Sequence, residues 1–96
     1  NEEGEVLIRY FIIFKGRVQG VGFRYFAAQV ASNLKMTGHV RNLSNGNVEV
    51  EIQGPKESFN TFLQSVIKGN GFIKVEDYSI KEIPLKEFEK NFKVKG

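Results

Sequence analysis

The chain lacks cysteine altogether. No disulfide can brace it, and thiol nucleophiles and thiolate metal sites are excluded from its chemistry. The same absence fits a reducing compartment, and a cytoplasmic location is expected. Long apolar runs are also missing. The longest, Val6 to Phe14, is interrupted by Arg9 and is too short to span a bilayer. It has no basic start and no small-residue cleavage site, so it does not read as a signal peptide, and no membrane partner is expected. A strong charge imbalance is absent too. The net charge of +3 favours anionic partners in general. It does not single out nucleic acid, because the lysines are dispersed and many stand near glutamates. There are no internal repeats, linkers or low-complexity stretches.

What remains suffices for one core. The chain has 96 residues, 41% of them hydrophobic and nine of them Phe, which is enough for a single domain. Residues 1–7, opening with the polar stretch Asn1 to Glu5, are expected to form a flexible tail, and residues 8–96 a single domain. Ile8 to Lys15 is rich in β-branched and aromatic residues and apolar on both alternating sets, so it predicts an interior strand. Phe23, Phe26, Ala27, Val30 and Leu34 then recur at helical spacing. Thr37 to Asn42 returns to strand character. Asn45-Gly46 is the dipeptide that a type I′ hairpin prefers. In Asn47 to Gln53, Val48, Val50 and Ile52 alternate with Glu49, Glu51 and Gln53, which predicts one buried and one wet face. Gly54-Pro55 opens a second helix with Pro at its first position. Phe59, Phe62, Leu63, Val66 and Ile67 form its apolar stripe and are read as core. Gly69 and Gly71 end it. Phe72 to Ile83 is a strand whose apolar phase slips between Val75 and Tyr78, as at a bulge. Phe92 to Val94 closes the fold with a short strand. The order predicts an α+β, ferredoxin-like split βαβ sandwich, with two helices on one face of a four- or five-stranded antiparallel sheet.

The segment Gly16-Arg17-Val18-Gln19-Gly20-Val21-Gly22-Phe23-Arg24 joins the first strand to the first helix. The first amides of a helix lack internal partners, and Ser, Thr, Asp or Asn commonly caps them. No such residue lies between Gly16 and Arg24. The donors are left for an anion at the positive end of the helix dipole. Gly20 and Gly22 let successive amides converge, and Arg24 can pair with a bound oxyanion. A glycine-capped turn with a solvated Arg24 is the competing reading. The segment has no Gly-Lys-Ser/Thr ending, and Tyr25 stands where a dinucleotide fingerprint needs its third glycine.

Gly16 to Arg24 resembles the first signature of the acylphosphatase family. Gly38-His39-Val40-Arg41-Asn42, followed by Gly46-Asn47-Val48, resembles the second, and the similarity runs from Ile8 to Val94. The resemblance implies hydrolysis of small acyl phosphates to carboxylate and inorganic phosphate, with neither metal nor cofactor. It implies that Arg24 binds the phosphoryl group and that Asn42 orients the attacking water. It implies that the amides of Arg17, Val18, Gln19, Gly20, Val21 and Gly22 cradle the phosphate oxygens. The chemistry is compatible. A carboxylate leaves without being protonated, so no general acid is needed. The residues themselves leave Asn42 open to a plainer role as a turn residue bonding its own backbone.

Two positions depart from the family pattern. His39 stands where a large aromatic is usual and reads as a packing or surface residue. Lys35 stands where glycine is usual at the helix end, and a left-handed conformation there would cost on the order of 1 kcal/mol. Arg41 is expected to be a solvated charge. Lys81, Lys86, Lys90, Lys93 and Lys95 are expected to form a solvated basic surface that attracts anions weakly. The fold also occurs in RNA-binding modules, but Glu49, Glu51 and Gln53 oppose phosphates on the open face, so no nucleic-acid partner is expected. A phosphate sensor without turnover is the other alternative. The chain is expected to be a monomer.

Overall fold

The computed structural model describes residues 6–96. Residues 1–5 of the expected tail lie outside the described residues, and Leu7 already belongs to the first strand. The elements are β1 (Leu7–Arg17), α1 (Phe23–Asn33), β2 (Thr37–Asn42), β3 (Val48–Pro55), α2 (Lys56–Lys68), β4 (Lys74–Glu82) and β5 (Phe92–Lys95). They form one sheet in the order β4-β1-β3-β2-β5. β1 runs antiparallel to both β3 and β4, and β2 antiparallel to β3, as the split βαβ reading requires. The edge differs from the expected all-antiparallel sheet, because β5 is parallel to β2. Its connection explains this. The chain reverses after β4, crosses the open face of the sheet and reaches the far edge running the same way as β2.

Alternation builds the core. Ile8, Ile12 and Phe14 of β1, Val40 of β2, and Val48, Val50 and Ile52 of β3 are all buried beneath the helices. α1 contributes Phe23, Ala27 and Ala31, and α2 contributes Phe59, Phe62 and Val66. The Phe14 ring lies 5.2 Å from Phe23 and the Tyr10 ring 4.5 Å from Phe59, so β1 grips both helices. Such aromatic pairs add about 0.5–1.5 kcal/mol each beyond burial.

Local details refine the sequence reading. The bulge falls where the apolar phase slips: Lys15 pairs with Asp77 and Gly16 with Val75, which leaves Glu76 as the extra residue. Pro55 is the cap before α2 rather than its first helical residue, since its ψ of 143° is extended. The β2–β3 turn is not the expected type I′, which needs positive φ at both central residues. Among the described residues Gly46 has a φ of 94° but Asn45 is not in that region. Instead the Gly46 amide donates to the Leu43 carbonyl, and the Asn45 side chain accepts from the Asn47 amide. This is a three-residue loop closed by a left-handed glycine.

Lys35 does occupy the left-handed region, with a φ of 58°. Its amide donates to the Ser32 carbonyl and that of Met36 to Ala31, which together make a Schellman cap with lysine in the glycine position. Lys35→Gly should therefore raise stability by about 0.5–1 kcal/mol, read as a rise of a few degrees in thermal midpoint.

The face away from the helices is not simply wet. Arg9 is 2% exposed, and its guanidinium meets Glu51 at 2.9 Å and Glu89 at 2.7 Å. The Gln53 side chain donates to the Lys86 carbonyl and accepts from the Lys86 amide. These contacts fasten the β4–β5 connection across the sheet. Arg41 is likewise not a free solvated charge: it forks onto Glu49 at 3.1 and 3.0 Å, while His39 Nε2 lies 2.8 Å from the same carboxylate. Burial would raise the Glu49 and Glu89 carboxyls. Hydrogen bonds and charge from Arg41 and His39 on Glu49, and from Arg9 on Glu89, outweigh that and hold both below the usual 4.5. Carboxylates held low stabilise the fold above their unfolded pKa, and that stability is lost as pH falls through the folded one. Denaturant midpoints should thus be flat down to the usual carboxylate value and fall below it. Glu49→Gln should shallow the fall.

Candidate active site

The phosphate-loop candidate lies between β1 and α1. Its residues cannot continue the strand, because Gly20 and Gly22 sit at φ 75° and 80°, in the left-handed region. Gly22 is also the cap of α1, and no side chain caps the helix. The first helical bond runs from the Phe26 amide to the Gly22 carbonyl. Among the described residues, no protein acceptor takes the amides of Val18, Gln19, Gly20, Val21 and Gly22. The first turn of α1 carries no acidic residue, and its charge is Arg24. Unpaired donors, a helix N-terminus and a guanidinium thus share one small region, which is the physical recipe for an anion site.

Arg24 is half-buried. Its Nη1 donates to the carbonyl of Lys95 at 3.0 Å, and its guanidinium carbon stands 5.9 Å from the Tyr25 ring centre. The last residue of β5 therefore fixes the side chain that a solvated arginine would leave free. Asn42 ends β2, one strand away in the sheet from β5. Its Oδ1 is buried and has no hydrogen-bond partner. A buried acceptor left unpaired costs on the order of 1–3 kcal/mol, so this is an exception that asks for a partner. Val18, Gly20, Gly22, Arg24 and Asn42 line one cavity of about 170 Å³, with Phe23 and Tyr25. The arrangement offers amide donors and one fixed cation to an oxyanion, and one acceptor to a water.

The structure brings Val18, Gly20, Gly22, Arg24 and Asn42 together around that cavity. Arg17 is the last residue of β1 and lines a different cavity, with Gly71 and Phe72. Gln19 and Val21 do not line the cavity with their side chains, and they take part in tethers instead. The Gln19 amide nitrogen donates to the carbonyls of Leu43 and Asn47 at 2.7 and 2.8 Å. Both of its protons are used, so the loop is tied to the hairpin residue next to Asn42. Asn70 donates to the Val21 carbonyl at 3.3 Å and steadies the loop from the other side. The family resemblance assigns a role only to the backbone of Gln19. The available signal was its side chain: a primary amide, flanked by small and apolar residues in a loop that otherwise offers no side-chain hydrogen bond.

The acylphosphatase family model matches residues 10–94. The chain belongs to the acylphosphatase family. An acylphosphatase of Clostridium beijerinckii is 48% identical over 89 residues, which covers 93% of this chain and 99% of that one. The crystal structure of acylphosphatase from Bacillus subtilis has a TM-score of 0.87 at 40% identity, over 95% of this chain and 100% of that one. An acylphosphatase structure from Coxiella burnetii has a TM-score of 0.85 at 29% identity, with 93% of each chain covered. The chain is thus an acylphosphatase hydrolase, its substrate a small acyl phosphate and one product inorganic phosphate.

The Gln19 tether makes a measurable claim. Gln19→Ala leaves every loop amide in place but frees the loop from the hairpin. A misplacement of about 1 Å in such a site can lower turnover roughly 100-fold. We expect kcat for benzoyl phosphate to fall 10- to 100-fold, on the order of that effect. The inhibition constant of inorganic phosphate should change less, and the thermal midpoint only slightly.

Proposed function

We propose that the cavity hydrolyses acyl phosphates without a metal ion, with loop amides and Arg24 holding the phosphoryl group and Asn42 orienting the water. The observation that carries this reading is the meeting of Asn42, whose buried Oδ1 has no partner among the described residues, with Gly20, Gly22 and Arg24 around one cavity. An acceptor so placed can take one O–H of a water and turn its lone pair toward phosphorus. A neutral amide cannot remove the proton, so the proton leaves through a phosphoryl oxygen of the substrate. The P–O bond to the acyl group breaks, and the carboxylate departs without needing a proton. Positioning and charge stabilisation do the remaining work.

The cavity is below the usual range of roughly 300–1,000 Å³ for pockets that enclose a whole ligand. It accommodates the phosphoryl end and leaves the acyl group outside, which supports a broad acyl range. The experiment is phosphate release from benzoyl phosphate with excess chelator. Full activity under chelation is expected. Loss of activity that is restored by added divalent metal would overturn the metal-free reading.

A further inference from the structure

We propose that the open face of the sheet carries a second anion site, separate from the phosphoryl cavity, that takes a nucleoside polyphosphate. A cavity of about 460 Å³ lies where the β4–β5 connection passes over β2 and β5. It is a half-open cleft, which would leave part of a ligand in solvent. Lys86, Lys90, Lys93 and Lys95 line it, with His39 and Phe88. Two carboxylates also line it, but Glu89 is already paired with Arg9 at 2.7 Å, which leaves Glu87 against the lysines.

The lysines are gathered by the parallel register of β5, which sets Lys93 beside His39 and Lys95 beside Arg41. Like charges around one concavity repel, and a multiply charged anion relieves that repulsion. The glutamates of β3 do not oppose such an anion. Glu49 is held by Arg41 and His39, and Glu51 by Arg9. The same pairing weighs against a cation. Ligand atoms of His39, Glu49 and Glu51 do lie within 4.8 Å of one another, but guanidinium groups already hold both carboxylates.

Phe88 supplies the argument for a ring. It is 91% exposed and has a φ of 67°, in the region that favours glycine. The fold gains no burial from this side chain and carries a strained backbone to present it. An exposed aromatic face beside lysines suits a stacked base with its phosphates on the ammonium groups. None of the lining residues is shared with the phosphoryl cavity.

The test is calorimetric titration with adenosine triphosphate and with inorganic tripolyphosphate, free of magnesium and in excess inorganic phosphate to occupy the catalytic loop. Both probes should bind, the nucleotide roughly tenfold tighter through stacking. The double variant Lys90→Glu, Lys93→Glu should lose at least about tenfold in affinity for both, while its benzoyl phosphate turnover stays near wild type. Phe88→Gly, which relieves the backbone strain, should bind tripolyphosphate as before and the nucleotide no better. Binding abolished by inorganic phosphate, or unchanged by the double charge reversal, would overturn the site. Equal affinity of the wild type for the two probes would overturn the assignment to a nucleoside.

Discussion

Arg24→Ala should lower kcat for benzoyl phosphate by about 10³-fold without destabilising the protein. The rate effect follows from charge. The peripheral oxygens of the phosphoryl group carry its negative charge through the transfer, and Arg24 is the cation lining the cavity. The loop amides remain in the variant, so residual turnover should be measurable. The stability effect has the opposite sign from that of a structural residue. A cation in the first turn of a helix is unfavourable by roughly 0.3–1 kcal/mol. Its removal offsets the exposed hydrogen bond to Lys95, so the thermal midpoint should hold or rise. Arg24→Lys keeps the charge but loses the fork and the bond geometry, and should recover only part of the rate. Full activity in Arg24→Ala would remove this residue from the mechanism.

The elements that the sequence announced are those whose cause is local. The stripe on α1 and the alternation on β3 follow from the period of each structure, and Phe23, Ala27, Val48, Val50 and Ile52 are buried accordingly. The phase slip near Glu76 marked its bulge for the same reason. The uncapped loop was legible because a missing Ser, Thr, Asp or Asn is visible in the letters. The parallel edge was not, because the direction of β5 depends on how the β4–β5 connection crosses the sheet. That crossing rests on Arg9, Gln53 and Glu89, residues far apart in sequence that meet only in the folded chain. The fates of Arg41 and Glu49 were hidden for a like reason. Alternation put them on the same face, but only the β2–β3 register sets them opposite each other. The site shows the same division. Glycines and Arg24 could be read from the loop itself, whereas the Gln19 tether needed the hairpin to arrive beside it.

Asn42→Ala should lower kcat by about 10²- to 10³-fold, the magnitude for loss of one preorganised hydrogen-bonding group, and should leave the binding of inorganic phosphate nearly intact. The amide oxygen is buried and has no hydrogen-bond partner among the described residues. Removing that oxygen removes a buried acceptor without a partner, which itself costs on the order of 1–3 kcal/mol, so stability should not fall as it would for a satisfied core asparagine. Asn42→Asp separates two possible jobs. A carboxylate can still accept from water, but it places a negative charge beside the phosphoryl anion. Phosphate affinity should then fall along with kcat, whereas in the alanine variant kcat falls and affinity stays. If the alanine variant instead loses phosphate affinity in step with kcat, Asn42 holds the phosphoryl group itself. The water would then have to be oriented by the backbone of the loop or by the substrate.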